Sequence, residues 1–250
     1  NIPLSFANGE TFITPKYDSF YQDIKLDDRI EVSERLTQKD SIKNQTIDYT
    51  YRKSVSLIGI RKNKTGEGKT HFYSPENFDF SYSYNELKHR DYEIENQEEI
   101  NLLLGSNYGF SFNSKPIEPF RKLSNIIRKP YWRWLQQLNF NLLPSSLDGS
   151  ININRILNNQ KFRQVYLEGT DASLQRSLPN LQQRNFLFDY NYAISHNLTR
   201  SLRFNFNAAT SSIIRNNNNF DQNDIDSNKQ ILWEGILNSG EPNAHIQSLA

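Results

Sequence analysis

Polar and apolar residues alternate one for one over long stretches of this chain. Within residues 77–85, Phe78, Phe80, Tyr82 and Tyr84 occupy every second position, with Asp79, Ser81 and Ser83 between them. Within 99–113 the apolar phase carries Ile100, Leu102, Leu104, Ser106, Tyr108, Phe110 and Phe112, set against Asn101, Gly105, Asn107, Gly109 and Ser111, with Leu103 the exception. Residues 131–143 carry Trp132, Trp134, Leu138, Phe140 and Leu142. A period of two predicts strands with one apolar and one polar face. The clearest pair lies further on. Phe186, Phe188, Tyr190, Tyr192 and Ile194 alternate with Asn185, Asp189, Asn191 and Ser195. After residues 196–200, Leu202, Phe204, Phe206 and Ala208 alternate with Ser201, Arg203, Asn205 and Asn207. This predicts a long antiparallel hairpin closed by a short polar turn. Residues 51–61 and 149–156 predict two further strands of weaker pattern. In residues 26–45 the charges and the spacing of Ile30, Val32 and Leu36 allow a short helix.

Several of these strands run to about 9–13 residues, whereas soluble strands have a mode near 5–6. A tilted strand needs about 9–11 residues to cross a membrane. The connections add a second expectation. From residue 51 onward they alternate between long and short, the short ones being 89–98, 144–148 and 196–200. In an up-and-down meander alternate links fall on opposite edges, so long loops share one side and short turns the other, as in outer-membrane barrels.

Composition sharpens this picture. Hydrophobic residues make up 36% of the 250-residue chain, yet aromatics reach 13% and there are 31 asparagines. Disordered chains are poor in aromatics. A polar, aromatic-rich chain suits structures that are apolar on one face and polar on the other throughout. The net charge of +1 argues against a nucleic-acid partner. The absence of cysteine excludes disulfides, thiolate metal sites and a cysteine nucleophile. The absence of methionine gives the chain the look of an internal piece of a longer protein.

Candidate chemistry is sparse. Gly66-Glu67-Gly68-Lys69-Thr70 resembles the end of a phosphate-binding loop, but Asn63 stands where the first glycine belongs. The acidic run 221–226 does not keep calcium-loop spacing, because Ile225 falls on a ligand position and Asp226 where glycine is needed. His71, His89, His196 and His245 form no metal-ligand pair. Glu93 and Glu95 share a strand face, with nothing to suggest a sugar cleft around them. No catalytic signature appears. The expectation is therefore a protein without enzyme activity, metal or cofactor.

An ordered series of stretches is familiar. It comprises Ile2-Pro3-Leu4-Ser5-Phe6, Thr14-Pro15-Lys16-Tyr17, Tyr51-Arg52-Lys53-Ser54-Val55-Ser56-Leu57, and residues 75–87 from Pro75 to Leu87. It continues with Pro116-Ile117-Glu118-Pro119-Phe120, Lys161-Phe162-Arg163-Gln164-Val165, Gln183-Arg184-Asn185-Phe186-Leu187-Phe188 and Trp233-Glu234-Gly235. Together these resemble the SprA/Sov family of Bacteroidetes over nearly the whole chain. The resemblance implies an internal part of the outer-membrane translocon of the type IX secretion system, needed for motility in gliding species. It implies a single-chain barrel of about 36 strands, the size of the largest known case. It also implies a wide polar pore for folded cargo proteins, and shuttle-barrel and plug proteins as partners.

The expected fold is accordingly all-β: antiparallel up-and-down strands forming part of a very large transmembrane barrel in the bacterial outer membrane. Residues 1–50 are expected to form an extended segment with room for a short helix at the barrel mouth. Residues 51–214 form the barrel-strand region, and 215–250 a polar loop and the start of the next strands. Phe78, Phe80, Tyr82, Tyr84, Phe186, Phe188, Tyr190, Tyr192, Phe204 and Phe206 are expected to face membrane lipid. Tyr131, Trp132 and Trp134 are expected in an interfacial girdle, where half-wet rings collect. Asn191, Asn205 and Asn207 are expected to face the lumen. The alternatives are a TonB-dependent-type transporter or porin segment, and a soluble carbohydrate-binding β-sandwich.

Overall fold

Alternation at period two leaves each strand one apolar face, and such strands gain most by pairing in register with their apolar faces on the same side. The computed structural model describes residues 2–33, 35–113, 115–119, 139–163, 180–214, 233 and 241–249. Its strands are β1 (Leu4–Ile13), β2 (Asp48–Arg61), β3 (Phe78–Arg90), β4 (Ile94–Ser111), β5 (Ser146–Phe162), β6 (Leu181–Asn197), β7 (Arg203–Ile214) and β8 (Glu241–Leu249). They form one eight-stranded sheet in sequence order, and every neighbouring pair is antiparallel. The fold is an all-β, up-and-down meander. Among the described residues the sheet is open, with β1 and β8 as its edges.

Residues 1–50 hold more order than an extended segment. They contain β1 and two helices, α1 (Leu26–Val32) and α2 (Leu36–Thr46). Asp27 and Asp28 occupy the first turn of α1, where negative charge complements the helix dipole. Buried Asp18 anchors the stretch before α1, accepting from the backbone N–H of Phe20 and Tyr21 and pairing with Arg29.

Two expectations fail. Of the strand expected over 131–143, residues 131–138 lie outside the described residues. Residues 139–143 stand outside the sheet, and Phe140 makes only an isolated bridge to Ile117. Strand β4 pairs directly with β5 through seventeen residue positions ending at Ser111 and Ser146, so no strand can lie between them. The link asymmetry fails with it, because removing one strand changes the parity of every later link. Links 14–47, 91–93, 163–180 and 215–240 fall at the end that carries α1 and α2, hereafter the helix end. Links 62–77, 112–145 and 198–202 fall at the opposite end. The two short turns, 91–93 and 198–202, are therefore on opposite ends.

One backbone device keeps the faces in phase. In β2 the register shifts between Leu57 and Ile60, which pair with Tyr82 and Phe80 respectively. Gly59 sits at the bulge with φ of 70°, and its N–H donates to Ser81 Oγ at 3.1 Å. The extra residue returns Ile60 to the same face as Leu57, and glycine is the residue that takes positive φ without a Cβ penalty.

Candidate functional site

The register turns eight separate alternations into two continuous faces. Directly opposed residues share a face, so cross-strand rows can be read from the pairing. One row runs Phe6–Val55–Tyr84–Leu102–Arg155–Phe186–Ile214. The next runs Leu4–Leu57–Tyr82–Leu104–Ile153–Phe188–Ser212. Beyond it come Ile60–Phe80–Ser106–Ile151–Tyr190–Thr210, then Phe78–Tyr108–Gly149–Tyr192–Ala208, then Phe110–Leu147–Ile194–Phe206–Leu249. Phe204 pairs with His196 one row further on. All ten aromatics singled out in the sequence thus stand on one face. Asn191, Asn205 and Asn207 stand on the other, opposite Ser150, Ser195 and Ala193.

Ring contacts knit the aromatic face together. Phe78 lies 6.0 Å from Phe80 and 4.9 Å from Tyr108, and Tyr192 lies 5.7 Å from Phe206. Polar pairs do the same on the opposite face. Asn191 Nδ2 donates to Ser150 Oγ at 3.1 Å, Ser195 Oγ to Asn205 Oδ1 at 3.0 Å, and Ser54 Oγ to Asn85 Oδ1 at 2.7 Å. Near β1 this polar face has an open concavity of about 530 Å³, bordered by Arg52, Asn85, Glu99 and Asn101.

Toward the helix end the aromatic face turns charged while keeping its phase. The next rows carry Lys53, Glu86 and Arg184, then Tyr51, Lys88, Glu98 and Asn159. Lys88 lies 2.8 Å from Glu86 and 3.7 Å from Glu98, with its Nζ 5.8 Å from the Tyr51 ring. Arg155 and Arg184 lie 5.2 Å and 5.3 Å from the Phe186 ring, a cation–π arrangement. Sequence reasoning passed over this charged border. The available signal was in-phase continuation, because Glu86 and Lys88 follow Tyr84 at the same spacing of two.

Exposure divides the aromatic face. Phe80, Ile151, Tyr192 and Phe204 are 49%, 42%, 39% and 45% exposed, whereas Ile100 and Leu102 are 0% and Phe186 is 2%. Ile100, Leu157 and Phe186 form a buried cluster with Tyr84 against it. The Trp233 ring stacks on Tyr84, centroids 6.5 Å apart and planes 20° apart.

The two short turns are fixed by side-chain oxygens. Asp91 Oδ1 accepts the N–H groups of Glu93 (2.8 Å) and Ile94 (2.6 Å), and Oδ2 lies 3.2 Å from His89 Nε2. Burial pushes the Asp91 carboxyl up, but the two backbone donors and His89 outweigh it and hold it below the ordinary carboxylate value. At the opposite end Thr199 Oγ1 accepts from Ser201 and Leu202, and His196 Nε2 lies 2.8 Å from the Asn141 carbonyl.

The remaining motifs resolve simply. Gly66 and Gly68 lie in the exposed link 62–77, followed only by a three-residue 3-10 turn at Pro75–Asn77. Such a turn cannot supply the helix N-terminus of a phosphate loop. Among the described residues no three His, Asp or Glu side chains are placed to hold a metal ion. No described helix is long and apolar enough to cross a membrane. Tyr131, Trp132 and Trp134, and the acidic run 221–226, lie outside the described residues. In comparisons with known proteins, no family model and no curated protein sequence matches the chain.

Proposed function

We propose that this chain is a stretch of wall from a very large outer-membrane barrel, the protein-conducting pore of a type IX secretion system. The carrying observation is the one-sided sheet: an aromatic face continuous across the strands, backed by an amide- and hydroxyl-rich face. On β4 the apolar phase runs from Ile100 to Phe110. At about 3.4 Å per residue and a tilt near 40° that stretch spans roughly 26 Å of height, of which the end at Ile100 and Leu102 is sealed and the remainder is offered to lipid. The opposite face would line water. Amide–hydroxyl pairs tie it across strands at Ser54–Asn85, Ser150–Asn191 and Ser195–Asn205, while Asn101, Asn154 and Asn158 each keep a side-chain oxygen without a hydrogen-bond partner among the described residues. The SprA/Sov resemblance in the sequence supplies the secretion system, the cargo and the partner barrels; the sheet supplies a wall that suits them.

Deletion of the β6–β7 hairpin in the intact protein tests this reading. Secreted cargo should accumulate in the periplasm, and gliding should stop in a motile species. Normal secretion with loss of a nutrient uptake would point to a transporter barrel instead. Recovery of the intact protein in the aqueous phase without detergent would leave only the soluble sandwich.

A further inference from the structure

We propose that the cleft between links 62–77 and 112–145 binds a lipid with an anionic, phosphate-bearing headgroup. The cleft has a volume of about 720 Å³ and lies at the end of the sheet opposite the helices. Its position at headgroup depth in a bilayer rests on the membrane reading above; its chemistry does not.

Three observations carry the assignment. The first is charge. Lys64 and Lys69 on one link and Lys115 on the other border the cleft, and no described carboxylate does. Among the described residues none of the three has an ion-pair partner, whereas Lys88 and Lys161 each pair with a glutamate. Glu118, on the same link as Lys115, is held by Arg200 at 2.9 Å. Cations gathered in a concavity without counter-charge draw in an anion. Lys69 and Thr70 are also the pair that gives link 62–77 its likeness to a phosphate-binding loop. No helix follows them to seat a nucleotide, but an ammonium and a hydroxyl still suit a phosphate oxygen.

The second observation is the apolar floor. Phe110, Ile117, Leu142 and Leu143 border the same cleft, and the last three are 48%, 76% and 51% exposed. A free phosphate gains nothing from such a surface, whereas an acyl chain gains by covering it. Phe110 also belongs to the aromatic face, in the row of Leu147, Ile194 and Phe206. An acyl chain lying along that face would bring its headgroup to the lysines. The third observation is that both walls are fixed. Tyr108 donates its hydroxyl to the Phe72 carbonyl at 2.7 Å, which ties link 62–77 to β4. Ile117 and Phe140 exchange two backbone hydrogen bonds of 2.8 and 3.0 Å, and the Phe112 N–H donates to the Ser145 carbonyl at 2.9 Å. A cleft shaped before its ligand arrives loses less entropy on binding.

The test uses the intact protein in neutral detergent. Leu142→Cys, in a background without other cysteines, carries a polarity-sensitive dye at the cleft. Dihexanoyl phosphatidic acid should shift the dye emission saturably, and roughly ten-fold or more tightly than dihexanoyl phosphatidylcholine. Lys64→Gln, Lys69→Gln and Lys115→Gln together should abolish that preference, and the three Lys→Arg changes should keep it. Equal affinity for the two lipids, or a preference that survives the glutamine changes, overturns the site. Inorganic phosphate or an octaglutamate peptide binding as tightly as phosphatidic acid overturns the lipid as occupant. If the intact protein proves soluble without detergent, the membrane reading fails, and the same titration in plain buffer still decides the cleft.

Discussion

Ile151 and Asn152 are neighbours on β5, yet one stands on the aromatic face and the other on the polar face. Ile151 is also mid-way through the apolar rows, level with Phe80 and Tyr190, whereas Phe206 lies near their end with Phe110 and Leu249, with only the row of Phe204 and His196 beyond it. The cost of a charge on a lipid-facing strand depends on depth. Ile151→Arg should therefore cost about 2–4 kcal/mol in the assembled barrel and Phe206→Arg only about 0–1 kcal/mol. Asn152→Arg should cost little. Urea unfolding of the three variants in detergent would check the order, and equal losses for Ile151→Arg and Asn152→Arg would sink the facing assignment. Which residues share a face was legible in the sequence, because phase survives in the spacing of Phe186, Phe188 and Tyr190. Depth was not legible. Phe206 reads as mid-strand in β7 alone, and only the cross-strand register shows that it stands near the end of the band.

Elements that carry an interruption were the ones the sequence concealed. Strand β2 reads weakly because Val55 and Leu57 keep odd positions while Ile60 is even; the Gly59 bulge absorbs the difference. A Cβ at Gly59 would meet nothing within 4 Å, so Gly59→Ala should cost only the positive-φ penalty, about 1–2 kcal/mol by thermal unfolding. A neutral result would mean that the bulge is not needed to hold the two faces in phase. Strand β1 was missed because Asn8 and Glu10 break its apolar phase; they fall in the charged rows with Lys53 and Tyr51. The expected strand over 131–143 erred the other way. Alternation there carries no information about pairing, and Asn141 spends its N–H and side-chain amide on the 198–202 region, at Leu198 and Asn197. The turn at 91–93 offers a pH test. Asp91 has a lowered pKa in the folded protein, so its contribution is present above the ordinary value of about 3.9 and is lost as pH falls through the lowered one. Amide exchange at Glu93 and Ile94 should quicken on acidification below about pH 4, beyond the intrinsic change, and Asp91→Ala should remove that extra dependence. Unchanged protection between pH 5 and 3 would contradict it.

The whole sheet raises the question of what lies beyond β1 and β8. Each pairs on one side only among the described residues, so each presents a row of N–H and C=O groups on the other. The edges also carry exposed apolar side chains: Leu4 and Phe6 on β1, Ile246 and Leu249 on β8. Natural edges are usually blunted by charge, proline or a covering loop. β1 carries Glu10 as its one charge, and β8 has Pro242 near its start. Edge pairing and the open half of the aromatic face should therefore act together when these 250 residues are expressed alone in water. The expected outcome is association that grows with concentration and is suppressed by detergent, followed by light scattering and size exclusion. The mechanism makes a finer demand. Ser5→Lys on β1, on the polar face opposite Ser56, should reduce association in water, because charge on an edge opposes strand addition, and should leave the detergent-bound form unchanged. A monodisperse monomer in water at high concentration would remove the need for neighbouring strands and for lipid alike, and with them the wall.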